Sequence, residues 1–245
     1  MIETISRTAS TNTLLAERLR AGGTVREGHW LRAVEQTCGK GRAGRSWSSA
    51  PGNLYCSTVV GVQTGDPLPQ TLSLVAGLGV HDLLREALSQ TVPGSDAGRW
   101  LKWPNDVLIG GAKVAGILCE RVLDTVIVGI GVNVASPPAS LHRPTTSIAA
   151  VTGSPNPNAA EVLETLAPCF ARRLHRWRTE PLRETLSEWE SRAHPRGARL
   201  TVHDGPGHRI SGRFGGLAED GSLRLLLDDG SVHAIHAGDV EWETR

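Results

Sequence analysis

The sequence predicts an α+β protein: a mixed, mainly antiparallel sheet with helices on one face, followed by a small SH3-like β-barrel. Three observations carry this expectation. β-rich runs bounded by Gly, Pro, Asn and Asp recur through the first 135 residues, separated by one long helical pattern. Two further helical stretches follow, with no strand pattern between them. From Gly197 the pattern changes to short alternating strands with polar turns, which suggests a separate small barrel. The division is therefore placed near residue 195, giving domains 1–195 and 196–245.

Taken in order, Ser10 or Thr11 can cap a helix through Leu14, Leu15 and Leu19 that stops at Gly22-Gly23. Trp30 to Gln36 reads as a strand. Gly39 to Trp47 holds too many glycines and like charges for either regular element and is a loop. Leu54 to Val62 has strand composition, and Leu72, Val75, Ala76, Gly79, Leu83 and Ala87 keep helical spacing. Trp100 to Trp103 is a short strand closed by Pro104, and 107–109 meets 113–118 across Gly110-Gly111 as a hairpin. Thr125 to Val134 adds a strand, and the Pro- and Ser-rich stretch from Ala135 to Asn158 reads as long loops. Helices over Ala159–Trp177, with a kink expected at Pro168, and Leu182–Ala193 lead to the hairpins, which include an Asp229-Gly230 turn.

Composition narrows the function classes. With 245 residues, 39% hydrophobic and 21% charged, the chain is ordinary for a globular protein, and no apolar run approaches the roughly 20 residues that span a bilayer. No membrane partner is expected, and the N-terminus lacks the features of a secretory signal, which points to the cytoplasm. A net charge of +1 gives no footprint for nonspecific DNA binding. Cys38, Cys56, Cys119 and Cys169 form no C-x-x-C pair, so reduced thiols are expected rather than a zinc site. Lys40, Lys102 and Lys113 are the only lysines among 26 basic residues, and all three lie in the motif region.

Gly39-Lys40-Gly41-Arg42-Ala43-Gly44-Arg45 can bring backbone N–H groups and cations to a phosphate or carboxylate. It is no Walker A loop, because Val34 stands where the first glycine belongs and no Ser or Thr follows Lys40. An RNA-binding module explains such a loop alone equally well. The order of motifs is more specific: Ser10-Thr11-Asn12, the loop, Pro51-Gly52-Asn53-Leu54-Tyr55, Lys102-Trp103-Pro104-Asn105-Asp106, Lys113-Val114-Ala115-Gly116-Ile117, and Gly129-Ile130-Gly131-Val132-Asn133.

In these motifs the chain resembles the biotin protein ligases, by motif over about residues 9 to 135. The resemblance implies ATP-dependent activation of biotin as biotinyl-5'-AMP and transfer to a lysine of a biotin carboxyl carrier protein, with Mg2+ accompanying ATP. It implies Lys113 and Arg42 as catalytic residues that also touch biotin, and Ser10, Thr11, Asn12, Gln36, Lys40, Gly41, Gly116 and Gly129 as further biotin contacts. Arg45, Trp47 and Asn133 would face the nucleotide, Trp47 stacking on adenine, and Asn105 and Asp106 are candidates to help place the metal. Lys40 stands where the family has arginine, so its backbone contact is expected but not its side chain's. The N-terminus is too short for the DNA-binding domain that some relatives carry, and a homodimer is allowed. The nearest rival, a lipoate or octanoate ligase or transferase, calls for an Arg-Arg and Gly-Gly-Gly loop that is absent here.

Overall fold

A computed structural model of the chain describes residues 1–49, 51–88, 98–138, 144–155, 157–205 and 208–242. The first 132 residues build a seven-stranded sheet. Its strands are β1 (Ile2–Thr8), β2 (Trp30–Gln36), β3 (Leu54–Gly61), β4 (Arg99–Lys102), β5 (Asp106–Ile109), β6 (Ala112–Val122) and β7 (Thr125–Val132). They lie in the order β1-β2-β3-β7-β6-β5-β4, with β1 and β2 parallel and every other pair antiparallel. Among the helices, α1 (Thr11–Arg20) links the parallel pair, and α2 (Leu72–Leu88) follows β3. The remaining three are α3 (Ile148–Thr152), α4 (Ala159–Thr179) and α5 (Leu182–Ser191).

The two faces of the sheet are covered unequally. Alternation sends Leu54, Cys56 and Val60 of β3 and Val126, Val128, Ile130 and Val132 of β7 into one core with α2, α4 and α5. The long helices thus share one face, as expected. The short α1 lies on the other, where Leu15 and Ala16 pack on Leu31, Val59, Val122 and Ile127. Double burial explains the continuous apolar run of β3. Among the described residues, the α-helices other than α1 pack on the first face.

Two elements depart from the expected string. β1 is an edge strand with alternating exposure and a polar sequence, so it carries little apolar signal. α3 is a five-residue helix with Ser147 as its N-cap, set inside the stretch expected to be loops; the rest of that stretch lies partly outside the described residues. α4 runs as one helix through Pro168.

The C-terminal strands are β8 (Arg199–Gly205), β9 (His208–Leu217), β10 (Leu223–Leu226), β11 (Val232–Ile235) and β12 (Asp239–Trp242). They form an antiparallel sheet in the order β11-β10-β9-β8-β12. It is open: β11 and β12 are its two edges and do not pair with each other, so the expected barrel is not closed. Its inner residues, including Leu200, Phe214, Leu225 and Val240, belong to the same core as α2 and α5. Trp103 Nε1 donates to the Gly221 carbonyl at 3.1 Å, and Leu217 N donates to Glu190 of α5 at 2.7 Å. Buried charges in the helical layer are paired: Arg173 of α4 grips Asp82 of α2 at 2.7 and 2.9 Å and reaches Glu188 of α5. All four cysteines are free, with Cys38 exposed. No helix among the described residues is long and apolar enough to cross a membrane.

Just after α5, His194 stacks on Trp242 of β12, ring centroids 3.8 Å apart and planes 5° from parallel. Burial, reinforced by the Lys102 charge, pushes the His194 pKa down to about 4. The folded chain therefore holds this imidazole neutral, whereas the unfolded chain takes up a proton near pH 6.5. Stability from this group is full above that pH and declines as pH falls toward 4. Partial exposure reduces the size of the effect, so wild type should lose about 1–2 kcal/mol more between pH 7 and 4 than His194→Phe, which keeps the stack. Urea unfolding at the two pH values measures this, and equal losses would contradict it.

Candidate active site

The uncovered part of the α1-side face forms the floor of a cavity of about 400 Å³. Antiparallel register sets Gly116 of β6 against Gly131 of β7, and Leu118 against Gly129. On the other side of β7, Tyr55 and Ser57 of β3 pair with Gly131 and Gly129. Paired residues share a face, so three glycines leave a strip of bare backbone. The strip is necessary. A Cβ on Gly131 would stand 2.5 Å from the Trp47 ring, one on Gly116 2.7 Å from it, and one on Gly129 2.2 Å from Asn12 Oδ1.

At one end lies a polar group built by the start of α1. Ser10 is the N-cap, yet its hydroxyl makes no capping bond; the residue is buried and lines the cavity. The side-chain amide oxygen of Gln36, Oε1, accepts from the Thr11 N–H at 2.9 Å and from its hydroxyl at 3.3 Å. The Ser57 hydroxyl is 2.6 Å from both Thr11 Oγ1 and Asn12 Oδ1, and Asn12 Nδ2 donates to Glu120 at 2.7 Å and to the Leu118 carbonyl at 3.2 Å. Ser57 and Gly131 were missed by the sequence reading. A serine pointing inward from an apolar strand was the available signal.

The opposite end is charged. Lys113 and Asp106 are both buried and form an ion pair. Asp106 is the register partner of Gly116 and so stands on the cavity face. Simple alternation would send Lys113 to the opposite face, but β6 shifts register between Lys113 and Ala115, leaving Val114 as an extra residue. That bulge, rather than the Gly110-Gly111 turn, aims the ammonium into the cavity. Its Nζ stands 5.1 Å above the Trp47 ring.

The Gly-rich loop covers this end. It closes on itself through Gly41 N to the Arg45 carbonyl, 2.7 Å, and Trp47 N to the Gly39 carbonyl, 2.8 Å, around left-handed Ala43 and Gly44. Arg42 reaches Asn105 Oδ1 and the Gly238 carbonyl, both at 3.4 Å, distances that leave its donors weakly used. Burial lowers its pKa, with Asp239 opposing the shift. Arg45 pairs with Asp239 of β12 at 2.7 Å. Five basic residues of the lining, Lys40, Arg42, Arg45, Lys102 and Lys113, outnumber the carboxylates of Asp106, Asp239 and Glu241.

Trp47 lies on the Gly116–Gly131 floor. Asn133 does not line this cavity: its side chain donates to the carbonyls of Thr146, 3.0 Å, and Lys113, 3.3 Å, clipping the segment before α3 to β6. The candidate metal residues have other partners, Asp106 holding Lys113 and Asn105 donating to the Ile117 carbonyl at 2.7 Å. Among the described residues no group of three or more His, Cys, Asp and Glu comes together. The remaining expected residues, Ser10, Thr11, Asn12, Gln36, Lys40, Gly41, Arg42, Arg45, Lys113, Gly116 and Gly129, all line the one cavity. It can hold a flat molecule with an amide-like polar head at one end and an anion at the other.

Residues 4–134 match the biotin/lipoate A/B protein ligase family, and residues 199–242 match the biotin protein ligase C-terminal domain. The chain belongs to this family. It is 33% identical to the biotin--[acetyl-CoA-carboxylase] ligase of Mycobacterium tuberculosis, over 98% of this chain and 88% of that one. It is 36% identical to the enzyme of the same name from Paracoccus denitrificans, over 96% and 98%. The fold superposes on the biotin protein ligase of Aquifex aeolicus in complex with biotin and ATP with a TM-score of 0.83, at 29% identity, covering 100% of this chain and 99% of that one.

The floor generates a prediction. Asn12 is fixed by Ser57, Leu118 and Glu120 and cannot retreat from a new methyl group 2.2 Å away. Gly129→Ala should therefore destabilise the fold by about 1–3 kcal/mol, the usual range for overpacking. An unchanged urea midpoint would show that the polar cluster is free to move.

Proposed function

We propose that this chain activates biotin with ATP to give biotinyl-5'-AMP and transfers the biotinyl group to a lysine of a biotin carboxyl carrier protein, that of acetyl-CoA carboxylase. The observation that carries the reading is the cavity's polarity: a side-chain-free floor with an uncharged hydrogen-bonding cluster at one end and cations at the other. Biotin has the same layout, a ureido ring at one end and a carboxylate at the other. The ureido group binds beside Ser10, Thr11 and Gln36, with Ser57 holding Thr11 and Asn12 in place. The bicyclic ring takes the floor now covered by Trp47, which turns toward the nucleotide.

Activation brings the biotin carboxylate to the α-phosphate of ATP, so two anions must meet out of water. Lys113 and Arg42 supply the positive charge there, and ATP brings its magnesium ion as part of the substrate. Asp106 holds Lys113 in one position, so little reorganisation is needed when the anions arrive. Arg42 and the loop then close over the mixed anhydride and keep it from water until the acceptor amine reaches it. Residues 1–195 carry activation in this reading, and 196–245 hold the loop through Asp239. Biotin-dependent exchange of pyrophosphate into ATP by the pure protein tests the proposal; its absence would overturn it.

Two variants test the roles. Lys113→Ala should lower the rate of adenylate formation by about 10²–10³, the effect of losing one electrostatic donor, about 2.7–4 kcal/mol. Lys113→Arg should not restore it fully, because a planar guanidinium cannot take a compact ammonium's place beside Asp106. A wild-type rate in Lys113→Ala would remove this residue from the mechanism. Arg42→Gly should still activate biotin but release the adenylate faster, since a charge-assisted hydrogen bond is worth about 1.5–3 kcal/mol. With ATP, biotin and serum albumin it should label the albumin more than wild type does, whereas unchanged labelling and an unchanged adenylate off-rate would show that Arg42 is no latch.

A further inference from the structure

A second cavity, of about 340 Å³, lies on the far side of Arg42 and Asn105. The two cavities share a wall of Arg42, Trp103, Pro104, Asn105, Ile117 and Leu118. The opposite wall comes from Gln70, Ser73 and Leu74 around the start of α2 and from the turns of the C-terminal sheet that carry Asp220 and His236. This wall is firmly tied down. The Gly221 carbonyl accepts from Trp103 Nε1, and Asp220 Oδ1 accepts from the Ser222 N–H at 2.9 Å and its hydroxyl at 2.6 Å. These bonds leave Oδ2 toward His236, whose Nδ1 is 3.4 Å away. The Ser222 bonds also hold the Asp220 carboxyl below its usual pKa, so it is charged.

The geometry points to this second cavity as the port for the acceptor protein's lysine side chain, with Asp220 receiving its ammonium group at the mouth. The inference rests on the biotin-ligase reading, which requires a protein amine to reach the acyl carbon while the nucleotide and the closed loop fill the first cavity. A lysine is a compact ammonium on a flexible four-carbon stem, so its port needs apolar walls for the stem and a fixed carboxylate for the head. Leu74, Trp103, Pro104 and Ile117 supply the walls. Arg42 and Asn105 stand where the port meets the first cavity, beside Lys113 and Asp106. The lysine therefore enters past the anionic turn and meets the activated acyl group beside Arg42 and Asn105.

The test uses the full chain and separates the two half-reactions. Asp220→Asn removes the charge while keeping a carbonyl that can accept both Ser222 bonds, and Ser73→Trp fills the cavity without changing charge. Each should leave biotin-dependent pyrophosphate exchange within about two-fold of wild type and raise the KM for an isolated biotin carboxyl carrier domain by about five-fold, the size expected for one partly exposed charge pair or more. An unchanged carrier KM in either variant would overturn the port, as would an exchange rate that falls in step with transfer. Absence of exchange in the wild type would instead overturn the underlying ligase reading.

Discussion

The site depends on a stretch of sheet surface that bears no side chains. Gly116 and Gly131 face each other across β6 and β7, with Gly129 two residues along, on a part of the sheet that no α-helix among the described residues covers. A sheet face left open in this way would ordinarily be a patch of apolar side chains. Here it is a slot one ring deep, wide enough for the Trp47 indole, whose edge comes within 2.5 Å of where a Cβ would be. The neighbouring features follow from it. Asn12 can lie down over Gly129 and meet Ser57, which ties the start of α1 to the sheet, and the Gly-rich loop can fold inward until Trp47 touches the floor.

The second constraint is the buried pair of Lys113 and Asp106. Two unpaired charges at this depth would be strongly unfavourable, while a pair with good geometry is tolerated and holds its members in place. The pair exists because of a single extra residue in β6. The bulge at Val114 turns Lys113 to the face where register has already placed Asp106, and Asn133 accommodates the irregular backbone by donating to the Lys113 carbonyl. Asn133 thereby acts on the site from behind, through the strand that carries the lysine.

Much of this was legible in the sequence. β2 was bounded correctly from Trp30 to Gln36, α2 and the β5–β6 hairpin followed from apolar spacing, and the motif residues of the loop, α1, β5 and β6 come together in one cavity. What escaped has physical reasons. β1 is polar and at the sheet edge, where burial imposes no pattern. Hairpins show which strands are neighbours but not whether the edges meet, so an open sheet was read as a barrel. A bulge has no composition of its own, so the direction of the Lys113 side chain does not follow from the hairpin pattern. The pairing of Asp106 with Lys113 was not legible either, because the partner is seven residues away on the next strand and the contact follows only from the register.

The C-terminal sheet completes the enclosure. Its β12 edge holds Arg45 through Asp239 and meets Arg42 at the Gly238 carbonyl, so the loop is gripped from the side opposite the floor. In this account the enclosed cations direct the carboxylate to one phosphorus atom and retain the product. The most direct measurement is a single turnover with biotin and ATP labelled at the α-phosphate, without any carrier protein, followed by rapid separation of the protein from free nucleotide. The account predicts label retained with the protein as biotinyl-AMP, about one per chain, with pyrophosphate released. Recovery of ADP and inorganic phosphate, or no retained label, would contradict it.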